Sequence, residues 1–164
     1  MGKRVGPSDG SDAFGWLSIS LFAGAAVDAT ASVPLLLHPP LFFGVLTFLA
    51  GLFGLQAPDE AAQIAAEAGI FLRLNGAFLV IVALFYFVTA MKPRRYLGNA
   101  ALAIFGRALG ALVYLCWVMS GGASVFYAFV ALNAAFAAVH AWAFGRGGGW
   151  SQLRDAVVPR DVSG

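Results

Sequence analysis

Two arginines, Arg73 and Arg107, stand inside long apolar runs of this sequence, and each opens an Arg-x-x-Gly step that closes at Gly76 and Gly110. A charge placed in membrane hydrocarbon costs roughly 2.5–3.5 kcal/mol on insertion scales, so a guanidinium there demands a partner. Asp28 is the one acid in a comparable setting, within the small-residue run 23–32, and Asn75 and Asn133 add polar amides to the same kind of apolar segment. Counted along helices from their cytoplasmic ends, Arg107 falls at about 15 Å, Asn133 at about 16 Å, Asp28 at about 21 Å, Asn75 at about 24 Å and Arg73 at about 27 Å. These five residues form the candidate ligand-binding locus. One carboxylate against two guanidiniums leaves a positive charge over, which suits a hydrophobic anion, a lipid headgroup or a partner's carboxylate. The competing expectation is a structural ion pair of Asp28 with one arginine, and an Arg73 that snorkels outward toward Glu67.

Other chemistries find little support. Arginine stays charged at any ordinary pH and relays no protons, so acid–base work would fall to Asp28 and His140. His38 and His140 are expected near opposite membrane faces, which denies them a shared metal or haem. A lone Cys116 offers neither a disulfide nor a redox pair within one chain. No Ser/His/Asp arrangement, phosphate loop or nucleotide fingerprint is visible, and the sequence calls for no cofactor. Net charge is +2, but without a basic stripe carrying interleaved aromatics nucleic acid is not an expected partner.

The elements that must position these residues are membrane helices. The 164 residues are 60% hydrophobic, with a mean hydropathy of +0.82, and their apolar runs exceed what one small soluble core could cover. The pattern predicts an all-α membrane protein with four transmembrane helices in one bundle, at about 14–37, 64–91, 97–119 and 124–144. A mobile arm, residues 1–13, precedes them, and a polar tail, 145–164, follows, with a short surface helix over 150–158. His38-Pro39-Pro40 ends the first span, because consecutive prolines remove two backbone donors, and Pro34 already takes one from Thr30. The apolar stretch 41–55, about 22 Å as a helix, falls short of the roughly 30 Å hydrocarbon core and reads as re-entrant or interfacial. Gly106 and Gly110 form a Gly-x-x-x-Gly step, assigned to packing within the bundle rather than to a dimer.

Four spans with the amino terminus inside put Lys3, Arg4, Lys92, Arg94, Arg95, Arg146, Arg154 and Arg160 on the cytoplasmic face and Asp59, Glu60 and Glu67 on the other. A five-span arrangement counting 41–55 would break that asymmetry. Lys3 and Arg4 ahead of an apolar stretch, with Ala29-Thr-Ala31 before Ser32, also mimic a cleavable secretory signal, but the apolar continuation 33–37 favours a retained first span in the cell membrane.

The pattern Phe71-Leu-Arg73-Leu-Asn-Gly76, then Tyr86, Lys92-Pro-Arg94-Arg95 and Gly106-Arg107, together with Asp28 and Pro34, resembles small bacterial four-helix membrane proteins of a broad DoxX-like kind. That resemblance, over roughly 13–144, implies a four-helix bundle; those proteins look acidic at the position of Asn133, and their group has been associated with quinone-linked oxidoreductase subunits. A weaker likeness is to the four-helix emopamil-binding and sigma-2-receptor group, which uses membrane-buried acids on sterol-like ligands.

Three functions are consistent with this reading: a bundle that binds a lipid or hydrophobic anion or acts as an accessory subunit of a membrane complex; an enzyme on a lipid-soluble substrate; and a transporter or channel subunit, for which four spans would require homo-oligomerisation. Missing catalytic pairs favour the first.

Overall fold

A computed structural model describes residues 9–57 and 69–157, and within them the chain is wholly helical. The order is α1 (Asp9–Leu37), α2 (Pro39–Phe53), α3 (Gly69–Met91), α4 (Leu97–Met119), α5 (Phe126–Arg146) and α6 (Gly149–Val157). Four of these, α1 from Phe14 onward and α3, α4 and α5, are long and apolar enough to cross a membrane, and α2 is the shorter apolar helix after the first. At 23 residues, α3 and α4 each measure about 35 Å, enough for the hydrocarbon core.

The radial pattern is that of a protein dissolved in lipid. Many buried positions hold small residues, Ala25, Ala83, Ala90, Ala100, Ala103 and Ala143 among them, beside a few large ones such as Leu17, Leu21 and Phe144, whereas Leu74, Phe78, Ile81, Leu102, Phe105 and Leu112 point outward. Lipid tails are as apolar as leucine, so nothing drives the large side chains inward, and helices associate by close contact of small ones. Ser20, Thr30, Ser32 and Thr89 turn their hydroxyls back onto carbonyls of their own helices, which satisfies them without water.

Helix α1 is the hub: it packs most extensively on α3, while α4 packs on α5, and the α1–α5 contact joins the two pairs. The α1–α3 approach is set by Gly76, where an added Cβ would stand 2.6 Å from the Leu36 nitrogen and 2.9 Å from its Cα. Only a residue without a Cβ fits there. Ser18 adds a hydroxyl donated to the Ala90 carbonyl.

The break between α1 and α2 is one residue long. His38 caps α2, its Nδ1 accepting from the Leu41 amide at 3.2 Å, with Pro39 and Pro40 in the first turn where a missing N–H costs nothing. Gly54, at φ 64°, ends α2, and the Leu55 amide reaches back to the Ala50 carbonyl at 2.8 Å, a Schellman closure. The chain then docks on the start of α5: the Gln56 amide donates to Ser124 Oγ at 2.8 Å and the Val125 amide to the Gln56 carbonyl at 3.0 Å. Phe43, Leu46 and Ala50 of α2 pack with Leu72, Val125, Phe126 and Phe129, so α2 closes one end of the bundle. The 92–95 turn and α6 lie at the other end, with Arg94 5.1 Å from the Phe14 ring and Trp150 4.6 Å from Phe144.

Several boundaries differ from the sequence expectation, among them the end of α2, at Phe53 rather than 55, and the start of α6, at Gly149 rather than 150. Helix α1 begins at Asp9, so residues 9–13 are helical rather than an arm, no proline standing between Pro7 and Pro34 to stop it, while the stretch apolar enough to span is Phe14–Leu37 as expected. Helix α5 runs two residues later than 124–144, because Ser124 and Val125 are engaged by Gln56. The apolar helix after the first span starts at Pro39 rather than 41, since prolines are welcome in a first turn. The polar stretch before α3, with Asp59, Glu60 and Glu67, and the arm 1–8 lie outside the described residues.

Candidate functional site

Arg107 is 6% exposed and projects from α4 into the space between α1, α3 and α5. Its Nη2 donates to Asp28 Oδ2 at 2.7 Å and to the Gly24 carbonyl at 3.1 Å, and its Nη1 donates to Asn133 Oδ1 at 3.2 Å. The guanidinium carbon lies 5.0 Å from the ring centroids of both Tyr86 and Phe136, so the cation is bordered by two aromatic faces as well as by its acceptors. Asn133 is oriented by its own Nδ2, which donates to the Phe129 carbonyl at 2.9 Å. Asp28 and Arg107 cancel in charge, and four helices contribute to the cluster.

Space for it comes from glycines. A Cβ on Gly24 would lie 3.2 Å from Arg107 Nη2, and one on Gly110 would lie 3.3 Å from Asn133 Oδ1. Gly106 faces the Tyr86 hydroxyl. Gly110 of the Gly-x-x-x-Gly step is thus spent inside the bundle, on Asn133 of α5, whereas Gly106 is exposed and only borders the Tyr86 hydroxyl.

The structure brings Asp28, Arg107 and Asn133 together and sets Arg73 and Asn75 apart. Arg73 Nη1 donates to the Leu36 carbonyl at 2.9 Å and the Leu37 carbonyl at 3.2 Å. The reason lies in the neighbouring helix: the amides that would serve Leu35, Leu36 and Leu37 by i to i−4 bonding belong to Pro39 and Pro40, which have none, and to Leu41, which turns to His38. Arg73 supplies the missing donors. Asn75 is exposed on the outer face of α3. Of the three charges, Asp28 and Arg107 form a neutral pair, and Arg73, still cationic, caps α1.

His140 and Tyr86, which are not among the five residues of the expected locus, border it. His140 is fully buried, its ring centroid 5.6 Å from Phe136 and 6.3 Å from Tyr86, with Nε2 close to Gly24. Both its ring nitrogens and Arg107 Nε are buried without a hydrogen-bond partner. The signal for membership was helical spacing: Asn133, Phe136 and His140 fall at i, i+3 and i+7, one stripe of α5. His38 sits at the α1–α2 break, and no group of three metal-ligating side chains occurs among the described residues. Compared with known proteins, the chain matches no family model, no curated protein and no solved structure.

Proposed function

We propose that this chain is a non-catalytic protein of the cell membrane, a bundle that binds a lipid or hydrophobic anion or serves as an accessory subunit of a larger complex. The observation that carries the non-catalytic part of this reading is that Asp28 and Asn133 are both engaged by Arg107. A catalytic acid–base pair must share a proton within hydrogen-bond reach. Asp28 is spent on Arg107, and neither nitrogen of His140 has a partner, so the two do not form such a pair. Asn75 supports the accessory role, because an amide on the outer face of a span beside Leu74 and Phe78 is the kind of group that a partner helix or second copy satisfies.

The orientation belongs to the same proposal. Lys92, Arg94, Arg95, Arg146 and Arg154 gather at the end where α1 begins and α5 gives way to α6, and the positive-inside rule assigns that end to the cytoplasm. The DoxX-like likeness joins the proposal too. Of the residues that carry it, Arg73 and Gly76 tie α3 to α1, and Tyr86 and Arg107 build the cluster.

Native mass spectrometry of the protein extracted with its lipids tests the proposal. A retained lipid, a second copy or a partner chain supports it. A bare monomer that turns over a lipid-soluble substrate, with turnover lost in His140→Gln, would replace it with the enzyme reading.

A further inference from the structure

Beyond that reading, we propose that the end of the bundle carrying the 92–95 turn holds a specific site for the phosphate of an anionic phospholipid, with Lys92 and Arg95 as its cationic walls. An open cleft of about 550 Å³ is lined by Phe14, Lys92, Pro93, Arg94 and Arg95. Three of those five residues are cations and none is an acid. Lys92 and Arg95 are both exposed and engage no carboxylate among the described residues, Arg95 meeting only the Tyr96 ring at 5.8 Å. Of the other exposed cations among the described residues, Arg154 lies 3.6 Å from Asp155, Arg73 caps α1, and Arg146, like Arg95, lies over an aromatic ring, that of Trp142. The cleft thus brings together two exposed cations, Lys92 and Arg95, that face no carboxylate among the described residues.

The geometry favours a lipid over a soluble phosphate. The cleft floor is apolar, made by Phe14 and Pro93, and Phe14 is only 5% exposed. Its rim is the junction where α3 ends at Met91 and α4 begins at Leu97, which is headgroup depth for spans of this length. Met91, exposed beside Lys92, continues the surface into the hydrocarbon region, where acyl chains would lie while the phosphate met the cations. Gly98 leaves open space at the first turn of α4, whose amides point toward the same end.

Basic residues at a cytoplasmic boundary also arise from topology alone, and the test must separate a site from diffuse charge. Full-length protein, delipidated in neutral detergent, is titrated with phosphatidylglycerol and with phosphatidylcholine and read by native mass spectrometry. The expected result is saturable retention of phosphatidylglycerol, weakened about fivefold by Lys92→Gln or Arg95→Gln singly, since each basic residue near an anionic surface is worth about 1 kcal/mol. Lys92→Arg should keep the affinity, and Arg154→Gln, which removes charge at the same end but outside the cleft, should leave it unchanged. Equal weakening by Arg154→Gln would reduce the site to diffuse electrostatics and overturn the proposal, as would equal retention of phosphatidylcholine. Displacement by millimolar inorganic phosphate would assign the cleft to a soluble anion instead. Melting temperatures of the variants in the same detergent, expected within a degree or two of the parent, keep a folding defect from passing as lost affinity.

Discussion

Replacing Asp28 by asparagine and Arg107 by glutamine, singly and together, separates the two halves of the buried pair. Asp28 is 6% exposed and Arg107 is the side chain that bonds it, so Arg107→Gln leaves a carboxylate in the bundle without its counter-charge. Removing one member of a buried pair costs about 3–5 kcal/mol, and that range is expected here. Asp28→Asn should cost less, about 2–3 kcal/mol. The guanidinium keeps the Gly24 carbonyl, Asn133 Oδ1 and two aromatic faces, and what it loses is one charge-assisted bond of about 1.5–3 kcal/mol. The double variant carries no buried charge and should fall short of the sum of the single losses by at least about 2 kcal/mol, well outside the roughly 0.5 kcal/mol within which independent sites add. Unfolding by SDS titration in mixed lipid–detergent micelles measures all three. Additive losses, or a larger loss from Asp28→Asn than from Arg107→Gln, would refute the argument that the arginine has supports the aspartate lacks.

Gly76→Ala should destabilise by about 1–3 kcal/mol, because its Cβ meets backbone at 2.6 Å and α1 must move away; Gly51→Ala, in open space on α2, should be neutral or gain up to about 1 kcal/mol in the same titration. Arg73→Gln should cost about 1 kcal/mol, a modest loss because the site is exposed and water replaces part of the cap, and amide exchange should quicken in the last turn of α1 while bound lipid is unchanged. In a Cys116-free background, a cysteine at Arg95 should react with an impermeant reagent only from the cytoplasm and one at Ser124 only from the other side. Labelling of both from one side would remove the proposed topology.

How much of this was legible in the sequence depended on whether the cause was local. The bounds of α4, Leu97–Met119, follow from apolar length and the turn residues beside it, and structure and pattern agree there to the residue. The pairing of Asp28 with Arg107 was one of two options that depth allowed; charge and rise along a helix cannot say which faces meet. Arg73 and Arg107 share the same Arg-x-x-Gly step, and nothing in either segment distinguishes them. What separates them is Pro39-Pro40, a defect in another helix. Those prolines were readable as the end of α1, but the carbonyls they strand become Arg73's business only once Gly76 has brought α3 against Leu36. At Arg107 the following glycine makes room for Asn133 instead, a side chain that turns the guanidinium toward Asp28 and away from any helix end. A charge in a membrane span is thus a demand whose supplier is chosen by the packing of a different segment. That is why the five polar residues divided as they did, and why His140, apolar-flanked in sequence, came to lie beside the cation.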